Sequence, residues 1–137
     1  MKGNSKVIEV LNKVLKKELT GINQYFIHYK MQQDWGYNTL AKKSYDESID
    51  EMKHADRVID RILFLEGVPN MSDYDPIRVG INVRAQITND KLLEEGAIEN
   101  LRSGIIVCNE AKDHATRKML EELIAEEEDH LDWLETQ

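Results

Sequence analysis

The chain has 137 residues, 41% hydrophobic and 32% charged, with a formal net charge of −8 at pH 7. This composition predicts one soluble globular domain over residues 1–137 and argues against a disordered chain. The acidic balance argues against a nucleic-acid-binding protein, which usually carries a basic surface. No apolar run approaches the roughly 20 residues of a membrane span, and no secretion signal is recognisable. A single cysteine excludes an intramolecular disulfide framework, so we expect a cytoplasmic protein.

The first two predicted elements are long helices. Apolar residues recur three and four positions apart from about Ser5 to Asp34, and Gly36 ends this pattern. A second helix is predicted from about Thr39 to Glu66, with Asn38 as its candidate N-cap. Gly67 is the candidate left-handed residue after its end, and the proline that follows soon after cannot continue a helix.

Two further helices are predicted to start near Asn82 and near Asp113, and no strand pattern is present. Short connections make helices one and two, and helices three and four, antiparallel neighbours. The 15 residues from 67 to 81, at ~3.3 Å each, can span a helix of ~28 residues that is ~42 Å long. The sequence therefore predicts an all-α fold, a ferritin-like antiparallel four-helix bundle with a long crossover between helices two and three.

Two of the four histidines follow a glutamate by three positions. Glu51 precedes His54 in the second helix, and Glu127 precedes His130 in the fourth. Residues three apart share a helix face, so the two side chains of each pair can bind one metal ion. One such pair is weak evidence by itself, and its occurrence in both hairpins strengthens the interpretation.

Helices one and three each place one glutamate, Glu18 and Glu94, on the apolar stripe. Glu51 follows Glu18 by 33 residues, and Glu127 follows Glu94 by the same 33, so both hairpins carry the same set. Four carboxylates balance two divalent cations, which explains how the set can be buried. Oxygen and imidazole ligands suit iron or manganese, and zinc can also enter. The set resembles that of ferritin-like two-metal proteins, with Glu51 and Glu127 as bridging ligands and the others as terminal ligands.

Tyr25 lies two helical turns after Glu18 on the same face, and Leu101 occupies the matching position of the second hairpin. Two interpretations of Tyr25 are open. It is either a core aromatic residue with a satisfied hydroxyl, or a hydrogen-bond or electron donor beside the metals.

Long stretches of the chain resemble bacterioferritin. The resemblance implies a ferroxidase that oxidises Fe(II) to Fe(III) with oxygen or hydrogen peroxide at an intrasubunit centre of two iron ions. It also implies a hollow shell that stores ferric mineral, and a ferredoxin-type electron donor for iron release. The ligands implied are Glu18, Glu51, His54, Glu94, Glu127 and His130. The stretches that carry the resemblance are MKGNSKVIEVLNKVL, ELTGINQYFIH, ESIDEMKHADRVIDRILFLEGVPN and EEEDHLDWLET.

The resemblance also implies haem between two subunits, with one methionine from each as axial ligand, and Met52 is the matching residue. Ile49, Met52, Ile59 and Leu63 form a second apolar stripe on helix two, turned away from Glu51. An exposed apolar stripe usually marks an interface between subunits. The alternative is that Met52 only packs in that interface.

Two features depart from the family. Some members have a histidine just before Glu47, where this chain has Asp46, so Asp46, Glu47 and Asp50 are predicted to form an all-carboxylate patch. The patch either passes iron inward or is a solvated surface. The sequence also ends at Gln137, without the short fifth helix that lines the fourfold axes of a 24-subunit shell. We therefore expect a homo-oligomer of 12 subunits, with 24 as the alternative.

Two other functions fit part of the pattern. A di-iron or di-manganese oxidoreductase of the peroxidase or catalase type would use the same ligands without storing mineral. A rubrerythrin-like version would need four cysteines, which the chain lacks. A DNA-protecting shell protein of the small-ferritin type builds its metal site between subunits, whereas the ligands here lie within one chain.

Overall fold

The computed structural model describes residues 1–137 and contains four α-helices and no strand. They are α1 (Ser5–Asp34), α2 (Asn38–Phe64), α3 (Val83–Glu110) and α4 (His114–Glu135). The helices form the predicted all-α four-helix bundle, so the predicted fold class is confirmed. None of the four helices combines the length and apolarity that a transmembrane segment requires.

Side chains cap three of the four helix starts. At the start of α1, the Asn4 side chain accepts a hydrogen bond from the Lys6 backbone N–H at 2.8 Å. Asn82 and Asp113 cap α3 and α4 in a similar way. Asn38 does not cap α2, contrary to the prediction, because the helix already begins at this residue and no side chain caps it. The tight turn after α1 brings the chain into α2 without such a cap.

The end of α2 also differs from the prediction. The helix ends at Phe64, and Glu66, not Gly67, takes the left-handed conformation, with φ of 63°. The Gly67 N–H donates to the Ile62 carbonyl at 2.9 Å, which closes the last turn. Gly67 is required for a different reason, since a Cβ there would lie 2.8 Å from the Ile8 Cγ2 atom.

The crossover between α2 and α3 runs along α1. Four of its backbone N–H groups donate hydrogen bonds to α1 side chains, so the crossover follows α1 over most of its length and α3 starts beside the C-terminal end of α1. This path makes α2 and α3 parallel, as predicted. The four bonds join Asn70 to Asn12 at 2.8 Å, Asp75 to Thr20 at 3.0 Å, Arg78 to Gln24 at 3.2 Å and Gly80 to His28 at 3.0 Å.

One half of the bundle interior is apolar, and we call it the apolar half. It is a continuous cluster of 14 buried residues, which come from all four helices and include Leu65 directly after α2. Each fully buried aliphatic side chain stabilises the fold by roughly 1.5–3 kcal/mol. The members of the cluster are Val7, Leu11, Val14, Leu15, Leu19, Ala55, Val58, Ile62, Leu65, Leu101, Cys108, Met119, Leu120 and Leu123.

The other half of the interior is hydrogen-bonded, and we call it the polar half; it comprises Gln24, His28, Gln32, Ser44, Gln86 and Asp90. Asp90 accepts a hydrogen bond from Gln24 at 2.9 Å, and its Oδ1 lies 3.0 Å from His28 Nδ1. Since the Gly80 N–H donates to His28 Nε2, the ring proton is on Nδ1, which donates to Asp90. Ser44 donates to Gln32 at 2.7 Å, and Gln32 donates to Gln86 at 2.9 Å.

Candidate metal centre

All six predicted ligands meet between the apolar half and the polar half of the bundle. They form two groups of four, and the ligand atoms of each group lie within 4.8 Å of one another. Glu51 and Glu127 belong to both groups, which is the arrangement required of bridging ligands. The first group is Glu18, Glu51, His54 and Glu127, and the second is Glu51, Glu94, Glu127 and His130.

Helix periodicity brings these side chains together. Each of the four glutamates lies on the face of its helix that points into the bundle, and all four are buried. Gly21 on α1 leaves room for Glu51, because a Cβ at that glycine would lie 3.2 Å from the Glu51 Cγ atom. A side chain at this position would therefore push against Glu51 and shift it by a few tenths of an ångström.

The two imidazole rings lie nearly parallel, with an interplanar angle of 16° and centroids 6.2 Å apart. The Nδ1 atom of each ring faces the carboxylates. His54 Nδ1 lies 3.0 Å from Glu127 and 3.4 Å from Glu18. His130 Nδ1 lies 3.3 Å from Glu51 and 3.7 Å from Glu94. Each histidine therefore directs one nitrogen into the centre and one outward.

Several buried atoms of the centre lack a hydrogen-bond partner. They include both oxygens of Glu18, one oxygen each of Glu51, Glu94 and Glu127, and the Nδ1 atoms of both histidines. Leaving such groups unpaired in a protein interior is costly, so a set of this size indicates a ligand. Two divalent cations fit, because they supply partners for these atoms and cancel four negative charges.

The ionisation of the ion-free centre reflects its burial. Burial raises the pKa of Glu18, Glu51 and Glu94 well above the usual value, and neighbouring carboxylates raise it further. Burial alone would lower the pKa of His54, but the nearby carboxylates, above all Glu127, outweigh it and raise the pKa to about 9. The pKa of His130 is raised for the same reason. Metal binding must therefore displace protons.

Comparison with known proteins gives a consistent picture. The family model of the ferritin-like domain matches residues 8–137. A bacterioferritin of Rhodobacter capsulatus is 48% identical over 137 residues, which cover 100% of this chain and 85% of the relative. A bacterioferritin of Mycobacterium leprae is 45% identical over all of this chain and 86% of its own length. A bacterioferritin of Brucella melitensis is 45% identical over all of this chain and 85% of its own length.

The chain belongs to the bacterioferritin family. This confirms the resemblance inferred from the sequence. The structure brings the six predicted ligand residues into one centre that could hold metal ions.

Tyr25 lies beside the centre of this bacterioferritin. It is buried, and its hydroxyl donates a hydrogen bond to Glu94 Oε1 at 2.5 Å. Burial raises the pKa of Tyr25 well above its usual value, and the charges of Glu94 and Asp90 raise it further. The hydroxyl therefore stays protonated at neutral pH, and its contact with a ligand fits both interpretations of Tyr25.

The outer surface of the centre is a polar pocket of ≈ 510 Å³ between α2 and α4, which both histidines line. Glu47 lies 2.8 Å from His130 Nε2, and Asp50 lies 3.5 Å from it. Two residues of the predicted all-carboxylate patch, Glu47 and Asp50, form a third group of possible ligands with His130. Asp46, the remaining residue of the patch, is exposed and pairs with Lys42 at 2.9 Å.

The structure also shows a contact that the sequence analysis missed. The Nε2 atom of His54 contacts the Glu126 carboxylate of α4. Glu126 belongs to a run of three glutamates, Glu126 to Glu128, in which spacing alone marks only Glu127 as a candidate ligand. Glu126 can be recognised only in the folded structure, because its role depends on the direction of the outer nitrogen of His54.

Met52 lies on the outer face of α2, where 51% of it is exposed, and Leu63 on the same stripe is 57% exposed. Ile49 and Ile59 are partly buried. The thioether is thus accessible within apolar surface, as a haem ligand shared between two bacterioferritin subunits would need to be.

Proposed function

We propose that this bacterioferritin oxidises Fe(II) at the six-residue centre and stores the Fe(III) product within an oligomeric shell. The observation that carries the proposal is the pair of four-residue ligand groups that share Glu51 and Glu127. Family membership supports the same function, because iron oxidation and storage are what bacterioferritins do. The six ligand assignments are part of the proposal.

Two Fe(II) ions are the substrate of the centre. Glu18 and His54 bind one ion, Glu94 and His130 bind the other, and Glu51 and Glu127 bridge them. Four carboxylates neutralise the two ions, so binding removes the repulsion among buried negative charges. The protons held by the ion-free imidazoles and carboxylates leave as iron binds.

Oxidation removes one electron from each Fe(II). With hydrogen peroxide, the two electrons break the O–O bond, and two Fe(III) ions and two hydroxide ions result. With oxygen, two electrons and two protons yield hydrogen peroxide. Reduction of oxygen beyond peroxide needs further electrons, and Tyr25 is placed to supply one of them, with its proton passing to Glu94 over 2.5 Å. The polar pocket that contains Glu47 and Asp50 offers oxygen ligands for Fe(III) on its way out of the centre.

Iron loading tests this function. Anaerobic Fe(II) addition followed by oxygen should load many iron atoms per subunit, as a storage protein requires. A peroxidase-like or catalase-like dimetal oxidoreductase would bind two metal ions per subunit and then turn over peroxide without further uptake. Uptake that ends at two iron atoms would therefore overturn the storage function and leave the oxidoreductase.

We further propose that haem binds at the twofold interface through Met52 and the same residue of a second copy. The exposed thioether within an apolar stripe supports this assignment. Bound haem would supply one-electron transfer, and two neutral thioether ligands raise its reduction potential. Met52→Leu should abolish porphyrin binding, measured by absorption spectroscopy after reconstitution. Full porphyrin content with an unchanged spectrum would rule out Met52 as the ligand.

The size of the shell, the electron donor and the location of the protein stay predictions. We expect 12 subunits in preference to 24, a ferredoxin-type donor for iron release, and a cytoplasmic protein. Light scattering of the purified protein tests the first expectation. A mass of 24 chains would refute the smaller shell, and a dimer would refute both shells.

A further inference from the structure

We propose that Glu126 is a positioning residue of the metal centre, which fixes the orientation and tautomer of His54 and so strengthens the binding of one of the two ions. The inference rests on the proposed function of the six-residue centre. Glu126 itself lies outside both groups of ligand atoms.

The contact of His54 with Glu126 joins two helices. His54 on α2 directs Nδ1 towards Glu127 and Glu18, at 3.0 and 3.4 Å, and directs Nε2 towards the Glu126 carboxylate on α4. A carboxylate only accepts hydrogen bonds, so Nε2 must carry the proton in the neutral ring. The lone pair is then on Nδ1 and faces the centre, which is the tautomer that a metal ion requires.

The two halves of the centre are not equivalent in this outer contact. His130 Nε2 lies 2.8 Å from Glu47, which is buried and paired with Lys43 at 2.9 Å, and 3.5 Å from Asp50. His130 therefore has two carboxylates near its outer nitrogen, and one of them is held firmly in place.

His54 has only Glu126. The ligand pairs of α2 and α4 are offset by 76 residues, from Glu51 to Glu127, and the same offset relates Glu47 to Leu123 and Asp50 to Glu126. The position that would match Glu47 thus holds an apolar residue of the core. Removing Glu126 leaves the outer N–H of His54 without a protein partner, whereas His130 keeps both of its own.

This asymmetry predicts a selective effect. Loss of an outer carboxylate partner of a metal-bound histidine typically costs roughly 10–100-fold in metal affinity. Glu126→Ala should therefore weaken the ion on the His54 side by about that factor and leave the ion on the His130 side unchanged. Glu126→Gln keeps an acceptor oxygen but loses the charge, so it should restore part of the affinity.

The effect is measured by titrating the ion-free protein with Co(II), which reports binding through its visible absorption. Glu128→Ala is the matched control, because Glu128 lies on the same helix, is exposed, and forms no hydrogen bond or ion pair with another residue. The unliganded variants should melt within the same range as the parent protein, since 55% of the Glu126 side chain is already exposed. Anomalous diffraction from Co(II)-loaded crystals then shows which ion has lost occupancy.

Two results would overturn the role of Glu126. One is a Glu126→Ala titration that matches Glu128→Ala, and the other is equal weakening of both ions. Selective weakening with partial rescue by glutamine supports it. Failure of the six-residue ligand assignment, on which the inference rests, would look different, because the parent protein itself would then bind fewer than two Co(II) ions per chain.

Discussion

The apolar half and the polar half of the bundle interior are buried alike but are stabilised differently. In the apolar half, Leu11, Leu15 and Leu120 are fully buried against other apolar side chains, and their contribution depends on area and shape. In the polar half, Asp90 and His28 are stabilised only because each meets a partner of the right kind. The apolar half should therefore tolerate a change of side chain that conserves volume, whereas the polar half requires its hydrogen-bond donors and acceptors to be conserved.

The proposed metal centre lies where the two halves meet, and its six proposed ligands should be the least replaceable residues of the interior. His54→Ala or Glu127→Ala should abolish fast Fe(II) oxidation, since a lost ligand should cost more than the roughly 10–100-fold loss caused by a lost outer partner. Stopped-flow absorption of Fe(III) formation measures the rate. His114→Ala is the matched control, because His114 is exposed at the start of α4. Unchanged initial rates in both ligand variants would refute the assignment.

In the apolar half, Leu120→Ala should lower the free energy of unfolding by about 2–5 kcal/mol, because it leaves a cavity in a close-packed cluster. Leu120→Met conserves most of the volume and should cost less than about 1.5 kcal/mol. Chemical denaturation of the ion-free protein measures both values. Equal losses in the two variants would show that volume does not govern this half.

In the polar half, Asp90→Leu should be poorly tolerated although leucine has a similar size. It would leave the donors of Gln24 and His28 buried without an acceptor, at about 1–3 kcal/mol for each donor. Asp90→Asn retains an acceptor oxygen and should cost less. Chemical denaturation of the ion-free protein measures both values. A leucine variant as stable as the asparagine variant would show that the polar half does not require its hydrogen-bonding groups.

The stability of the ion-free protein should fall as pH rises above neutrality. His54 has a pKa of about 9 in the folded chain and about 6.5 as its model value. Its protonation therefore stabilises the fold fully below about pH 6.5 and ceases to do so as pH rises through about 9. At about 1.4 kcal/mol per pKa unit, the loss attributable to His54 is roughly 3 kcal/mol.

Denaturation in the presence of a chelator, repeated across this pH interval, measures the slope. The raised pKa values of Glu18, Glu51 and Glu94 give a slope of the same sign. His54→Gln should reduce the slope, and stability that increases with pH would contradict the expectation.

Tyr25→Phe should have the smallest effect. It removes one hydrogen bond to Glu94, worth about 1.5–3 kcal/mol when the acceptor is charged, and it removes no proposed ligand. The electron-donor interpretation predicts a tyrosyl radical, detectable by electron paramagnetic resonance when the parent protein oxidises limiting iron, and no such signal in the variant. A parent protein without the signal would rule out the electron-donor role and leave Tyr25 as a core aromatic residue or a hydrogen-bond donor to Glu94.

Periodicity allowed much of the fold to be predicted from the sequence. Glu18, Glu51, Glu94 and Glu127 interrupt apolar stripes at regular intervals, and a carboxylate on a buried face demands an explanation whatever the detailed structure. The same periodicity predicted the helices to within a few residues.

Local backbone geometry and contacts between helices were harder to predict. The left-handed residue is Glu66 because the chain closes the last turn of α2 one residue earlier than glycine preference suggests. Asp46 and Glu126 could not be assigned, because the partner of an exposed carboxylate depends on side-chain direction and not on spacing. The pairing of His28 with Asp90, 62 residues apart, was equally hidden from sequence patterns.

The crossover also limits where the chain can change in length. Asp75, Arg78 and Gly80 are fixed to Thr20, Gln24 and His28 of α1. Successive α1 anchors are four residues apart, or ~6 Å along the helix axis. The two residues from Arg78 to Gly80 reach only ~6.6 Å when extended. A deletion there would break one of these hydrogen bonds. The five residues from Asn70 to Asp75 can instead extend over ~16 Å, whereas Asn12 and Thr20 are only ~12 Å apart along α1, so this part of the crossover is longer than it needs to be. Natural insertions and deletions should therefore accumulate in the early part of the crossover.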